Sequence, residues 1–118
     1  MYRRWIKNIY SRGNSRGRVD VLAIVFKGKK VYRYAFNKYC SGNKLARSFN
    51  SWTTHAEMSV LQDFDADDMS IVIYREDFYG NPMLAKPCIA CERIINDSRI
   101  KKVIYSIPNI PYFVEELR

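Results

Sequence analysis

Apolar residues recur along the chain with two different periods, which predict where its helices and strands lie. Near the amino terminus they return every three or four positions, with basic residues opposite, so residues 2–12 are expected to form an amphipathic helix ending before Gly13. Residues 19–26 are nearly all apolar and rich in β-branched types, and residues 31–36 form a second such stretch after a basic turn. Together these two stretches predict a β-hairpin.

The second half of the chain alternates between short helical and short extended patterns. A capping-box pattern from Thr54 to Glu57 predicts the start of a short helix. The apolar residues 71–74 predict a strand that is buried on both faces. Pro87 suits the start of a helix over residues 88–96. Two further strands are predicted near the carboxyl end, over residues 103–107 and 112–117.

The order of these elements predicts the fold class. It runs α, β-β, α, β, α, β, β, with one long stretch of irregular pattern at residues 37–53 that is typical of a functional loop. Helices that alternate with strands cover both faces of a sheet. We therefore expect an α/β protein with a three-layer α/β/α sandwich around a mixed, about five-stranded sheet.

The composition is that of a folded domain and excludes a spanning helix. Of the 118 residues, 47% are apolar and 27% charged, as in average globular proteins. A chain of this length can bury its apolar surface in one core, so residues 1–118 are expected to form a single domain. The longest apolar run, Val21 to Phe26, is far shorter than the roughly 20 residues that cross a membrane.

The amino terminus and the cysteines indicate a cytoplasmic protein. The first ten residues are basic but lack the continuous apolar core and small-residue cleavage site of a secretory signal. The three cysteines are an odd number, and two of them, Cys88 and Cys91, form a tight pair. An odd number of cysteines with one closely spaced pair is typical of a protein from a reducing compartment. It indicates metal or redox chemistry and not a disulfide framework.

One histidine, one glutamate and the cysteine pair carry the candidate chemistry. His55 is the only histidine and stands two residues before Glu57. On a helix, Cys88 and Cys91 would share a face with Cβ atoms about 5–6 Å apart, in a first turn whose positive dipole favours thiolate. Two thiolates and one imidazole satisfy three corners of a zinc tetrahedron. The open fourth corner is typical of a catalytic site.

A His-x-Glu motif at His55 joined to a Pro-Cys-x-x-Cys motif ending at Cys91 resembles the zinc-dependent cytidine and deoxycytidylate deaminase superfamily. Over most of the chain the predicted helices and strands also follow in the same order as in this superfamily. The resemblance therefore implies a cytidine deaminase-like fold. It implies that His55, Cys88 and Cys91 bind zinc, which makes hydroxide available near neutral pH. Glu57 would shuttle protons while cytosine becomes uracil and ammonia leaves.

The same resemblance implies a set of substrate contacts. The backbone N–H of Ala56 would face the base carbonyl, and Asn37 would touch the sugar or the base. The backbone carbonyl of Lys86 would hold the amino group, although many relatives have Glu or Ser there. Trp52 could stack on the base or anchor the core, and Tyr74 lies at a strand end that faces the pocket in related proteins.

Two other interpretations of the motif stay open. Cys40 could complete a closed structural zinc site, although Glu57 would then be idle and such sites usually pair their ligands closely in sequence. Alternatively, Glu57 could serve only the capping box, stabilising its helix by roughly 1 kcal/mol. In that case glutamine should replace it with little effect.

The charge distribution bears on the size of the substrate. The net charge of +8 indicates an anionic partner, either nucleic acid or a nucleotide phosphate. Two basic loops bracket the strands that lead to the expected pocket. The residues expected to contact nucleic acid are Arg12, Arg16, Arg18, Lys38, Lys44 and Arg47. This clustering favours cytosine in single-stranded DNA or RNA slightly over free cytidine or (deoxy)cytidylate.

Two further function classes rank lower. A tRNA adenosine deaminase is disfavoured because adenosine-type relatives place a helix between the last two strands, where this chain has only a short turn. A catalytically silent, zinc-stabilised nucleic-acid-binding module would keep the metal and the charge. Such a module has no need of a carboxylate beside the metal.

Overall fold

The computed structural model describes residues 2–13, 21–39, 53–77 and 79–118, and every structural statement below concerns these residues. In chain order, the elements are α1 (Tyr2–Gly13), β1 (Val21–Lys27), β2 (Lys30–Phe36), β3 (Lys38–Tyr39), β4 (Thr53–Thr54), α2 (Ala56–Leu61), β5 (Ser70–Arg75), α3 (Ile89–Asp97), β6 (Lys102–Ser106) and β7 (Phe113–Leu117). The predicted helices and strands are all present. Only the short strands β3 and β4, which pair with each other, were not predicted.

Five strands form one mixed sheet in the order β2-β1-β5-β6-β7. The neighbours β5 and β6 run parallel, and every other adjacent pair is antiparallel. The last pair is joined by a short turn, which confirms the expected antiparallel ending of the sheet. In the β1–β5 register, Val21 lies opposite Arg75, so the start of β1 and the end of β5 share one edge of the sheet.

The helices cover both faces of this sheet, which confirms the three-layer sandwich. On one face, Ile6 and Tyr10 of α1 pack with Leu22 and Val72. On the other face, α2 and α3 bury their apolar side chains against the central strands. Among the described helices, none combines the length and the apolar character that crossing a membrane requires.

Strand β5 contributes to both cores because its side chains alternate between the faces. Ile71 and Ile73 point to the side of α2 and α3, whereas Val72 and Tyr74 belong to the core under α1. Residues 70–74 are all buried, as predicted for a strand covered on both faces. The alternation places Arg75 on the same face as Ile73.

Candidate active site

A cavity of about 230 Å³ opens where several strand ends meet the starts of α2 and α3. Strands β1 and β5 supply one wall through Val21, Ile73 and Arg75, and the segment before α3 supplies another. The full lining consists of Val21, Asn37, His55, Glu57, Ile73, Arg75, Leu84, Ala85, Lys86 and Cys88. The fold thus brings the His-x-Glu and Cys-x-x-Cys motifs to one place.

His55 and Cys88 occupy equivalent positions, since each is the N-cap residue of its helix. The His55 carbonyl accepts the Ser59 N–H at 3.1 Å, and the Cys88 carbonyl accepts the Glu92 N–H at 2.8 Å. Neither N-cap side chain bonds to its own helix. Both side chains therefore remain available for a ligand at the helix starts.

The ligand atoms of His55, Cys88 and Cys91 form a cluster in which all lie within 4.8 Å of one another. The His55 Nδ1 atom lies 3.2 Å from the Cys91 Sγ and 3.6 Å from the Cys88 Sγ. Zinc–sulfur and zinc–nitrogen bonds of about 2.3 and 2.05 Å at a tetrahedral angle give a nitrogen–sulfur separation of about 3.6 Å. These three residues fit zinc and would fill three of the four positions of a tetrahedral site.

Glu57 lies beside this cluster and is only 5% exposed. Because α2 begins at Ala56, Glu57 is the second helical residue, and the predicted capping box with Thr54 is wrong. A capping box requires the glutamate at the third position, reaching back to the N-cap amide. Instead, the Glu57 carboxyl lies beside the Cys91 thiol and lines the cavity.

The surroundings of Cys91 favour the protonated thiol as long as no metal is bound. Burial, together with the neighbouring Glu57 carboxyl, raises the pKa of the Cys91 thiol. Both effects oppose the helix dipole, which was expected to favour thiolate. A bound cation supplies the missing stabilisation, because metal coordination deprotonates a thiol outright.

Asn37 directly follows β2 and lines the edge of the cavity. Its Oδ1 accepts the Val21 N–H at 2.7 Å, and its own N–H donates to the Val21 carbonyl at 3.0 Å. One lone pair of the amide oxygen is thereby used, and the Nδ2 group adds two donors. A contact with sugar or base stays a prediction.

Ala56 and Lys86 each lie close to the metal-ligand residues in the sequence, and Lys86 also lines the cavity. Ala56 is fully buried at the first position of α2, and its N–H is among those that have no partner within the helix. Lys86 is exposed and lines the cavity two residues before Cys88. Their contacts with the base remain predictions.

Tyr74 lies on the other face of the sheet, which corrects the prediction that it contacts substrate. It is 7% exposed in the core under α1, where it packs against Tyr10 and Phe113. Its hydroxyl donates to Glu76 Oε2 at 2.5 Å. Since side chains alternate along a strand, Ile73 and Arg75 face the cavity in its place.

Several predicted contacts fall outside the described residues. Arg12 lies in α1 and Lys38 in β3, but only their backbones are described. The residues beyond the described ranges are Arg16, Arg18, Cys40, Lys44, Arg47 and Trp52. Their predicted roles stay predictions.

Sequence reasoning missed Ser106, which ties together the walls of the cavity. This fully buried serine donates its hydroxyl to the Met83 carbonyl at 2.6 Å and accepts the Arg75 N–H at 3.1 Å. Its own carbonyl accepts the Ala85 N–H at 3.0 Å. The end of β6 therefore fixes the segment that leads into Cys88. A lone serine at a strand end carries no sequence signal for this.

We expect Ser106→Ala to lower both stability and activity. Removing the hydroxyl leaves a buried carbonyl and a buried N–H unpaired, at a cost of about 1–3 kcal/mol. Urea unfolding and kcat/KM would measure the two effects. Ser98→Ala is the matched control, because the Ser98 hydroxyl also donates to a carbonyl, that of Ile94, but away from the cavity. Activity that is unchanged in Ser106→Ala would limit this residue to a role in stability.

The fold and the site together define a zinc-binding hydrolase domain with a His/Cys/Cys metal centre and a buried carboxylate beside it. A family model described as the cytidine and deoxycytidylate deaminase zinc-binding region matches residues 2–107, and the chain belongs to this family. This match and the metal cluster confirm the predicted zinc cofactor. No curated protein matches the chain at a significant level.

Two solved structures of the dCMP deaminase from the cyanophage S-TIM5 are similar to this chain. The apo form has a TM-score of 0.59 at 22% identity, covering 89% of this chain and 81% of that one. The complex with dCMP and dUMP has a TM-score of 0.57 at 21% identity, covering 90% and 78%. At this identity the likeness establishes the deaminase fold.

Proposed function

We propose that the protein converts cytosine to uracil in a free (deoxy)cytidine nucleotide, with zinc as the cofactor. The observation that carries this proposal is the buried Glu57 carboxyl in contact with the Cys91 thiol, beside a cavity that holds His55 and Cys88. A carboxylate in this position is suited to proton transfer, since burial next to a metal centre keeps bulk water from competing for its proton.

The chemistry divides between the metal and Glu57. When bound by His55, Cys88 and Cys91, zinc would lower the pKa of a water molecule towards neutrality. Glu57 would take one proton from this water and deliver it to N3 of the cytosine ring as the water oxygen bonds to C4. Glu57 would then take the second proton from the hydroxyl group on C4 and deliver it to the amino group. The C4–nitrogen bond would break as the C4 carbonyl forms, giving uracil and ammonia.

The described cavity supports a single nucleotide as the substrate. Its volume of about 230 Å³ is near the lower bound of about 300 Å³ for small-molecule sites. The similar cyanophage enzyme is a dCMP deaminase and has been solved with dCMP and dUMP. Both observations favour one nucleotide unit held in a pocket.

A second candidate substrate is cytosine in single-stranded DNA or RNA. The net charge of +8 favours it, because a polyanion binds to a strongly basic surface through many phosphates. A base within a single strand also reaches a pocket without the cost of unpairing.

A substrate panel tests both candidates. Zinc-loaded protein is incubated with cytidine, dCMP and cytosine-containing single-stranded DNA and RNA, with Glu57→Ala as the inactive control. Uracil formation from dCMP supports the proposal. Uracil in the polymers only, with a rate that falls steeply as salt is added, supports the second candidate. A zinc-loaded protein that converts no cytosine substrate contradicts both and favours adenosine or a silent binding module.

A further inference from the structure

Arg75 carries a positive charge that the proposed mechanism does not use. It is the last residue of β5 and lines the cavity on the same face as Ile73. Arg75 itself pairs with Val21 in the β1–β5 register, and its backbone N–H donates to the Ser106 hydroxyl, so the strand end is held in place. The guanidinium therefore extends from a rigid part of the sheet rather than from a mobile loop.

The Arg75 side chain has an unsatisfied donor. Its Nε atom is buried and has no hydrogen-bond partner among the described residues. The N–H groups of an arginine side chain only donate, so the missing partner is an acceptor. Buried donors are nearly always paired in folded proteins, and an exception at the wall of a cavity indicates a ligand.

Nearby carboxylates do not supply that acceptor. Glu76 accepts the Tyr74 hydroxyl, and Asp77 accepts the backbone N–H groups of Tyr79 and Asn81. Within the described part of the chain, the ion pairs involve Lys27, Lys101 and Arg118, and none involves Arg75.

A second cation, Lys86, lines the same cavity from the segment before Cys88. Among the described residues of the lining, Glu57 is the one carboxylate. Two cations at the wall against one carboxylate favour a ligand that carries negative charge beyond the reacting base.

We infer that Arg75 binds a phosphate group of the cytosine substrate, with Lys86 as a supporting charge. The inference rests on the proposed deaminase function and assigns the residue that selects a nucleotide over a nucleoside. The planar guanidinium fork matches two phosphate oxygens, whereas an uncharged nucleoside offers no such partner. The phosphate could belong to a free nucleotide or to the backbone of a strand, because the chemistry of the contact is the same.

The test compares substrates with and without a phosphate in matched variants. Arg75→Gln removes the charge, Arg75→Lys keeps the charge but loses the fork, and Arg93→Gln is the control, because Arg93 is exposed on α3 and does not line the cavity. We expect Arg75→Gln to lower kcat/KM for dCMP by about 10- to 100-fold, as loss of a charged hydrogen bond does. Cytidine should react at the wild-type rate, and Arg75→Lys should recover part of the loss.

The outcomes separate the two sources of phosphate. A loss with dCMP assigns the contact to a free nucleotide, and a loss confined to a cytosine-containing oligonucleotide assigns it to a backbone phosphate. An equal loss with cytidine, or no loss with any phosphate-bearing substrate, overturns the inference. Thermal unfolding of each variant shows whether a loss of activity with every substrate comes from misfolding. If Arg75→Gln is misfolded, the comparison of dCMP with cytidine is made with Arg75→Lys.

Product binding separates this inference from the proposed function, because it needs no turnover. Calorimetric titration of zinc-loaded protein with dUMP and with uridine measures the contribution of the phosphate directly. The wild-type protein should bind dUMP more tightly than uridine, and Arg75→Gln should remove that difference. Binding without turnover contradicts the deaminase function alone. Turnover with equal binding of dUMP and uridine by the wild type contradicts the role of Arg75 alone.

Discussion

Glu57→Gln is expected to abolish deamination while leaving zinc bound. The substitution keeps the size of the buried side chain, but it removes the group that carries the proton. General acid–base catalysis contributes about 10²- to 10⁴-fold to rate. Because Glu57 serves more than one proton transfer, we expect a loss at the upper end of that range, measured as ammonia or uracil released per unit time.

Zinc content and stability are the controls for this prediction. Metal analysis should find one zinc per chain in both proteins, since Glu57 does not belong to the ligand cluster. Glu115→Gln is the matched variant, because Glu115 is exposed on β7, and it should retain full activity. Substantial activity in Glu57→Gln would contradict proton transfer by this residue and leave it a structural role.

Cys91→Ser is expected to lose zinc and, with it, the stabilisation that zinc confers. Cys91 is fully buried and close to His55, so no other described side chain can replace its sulfur without rebuilding the helix start. At a zinc concentration of about 100 times Kd, binding stabilises the native state by about 2.7 kcal/mol. For a chain of this size that raises Tm by about 10 °C. Scanning calorimetry should find this shift in the wild type and none in Cys91→Ser.

Cys40→Ser is the matched control, and it also decides between the two kinds of zinc site. In the three-ligand site, Cys40→Ser keeps zinc, activity and the zinc-dependent rise in Tm. Loss of zinc from this variant would instead assign Cys40 as a fourth ligand and make the site structural. A structural site would leave the buried Glu57 carboxyl beside the ligands without a role, so we predict the first result.

The chemistry of the site was predictable because it resides in local patterns. The His-x-Glu and Cys-x-x-Cys motifs define the donor set, and zinc follows from two thiolates and one imidazole. The helices and strands were predictable for the same reason, since their apolar periods are properties of a few consecutive residues. The predicted start of α2 was one residue too early. The sequence pattern placed the N-cap at Thr54, whereas the structure has it at His55, and Glu57 is buried as the second helical residue.

The geometry of the site depended on contacts between residues that are distant in sequence. His55 and Cys88 are 33 positions apart, and packing of α2 and α3 on one face of the sheet brings their side chains together. The raised pKa of Cys91 follows from burial, which no local pattern reports.

By itself, the sequence determined the family, the metal and the order of elements, since these depend on residue types and short spacings. Only the tertiary structure decided which side chains line the cavity. Tyr74 and Arg75 are adjacent at the end of β5, yet Tyr74 enters the core under α1 while Arg75 lines the cavity. The physical reason is that strand periodicity separates neighbours to opposite faces, and only the packing of helices on the sheet decides which face holds the site.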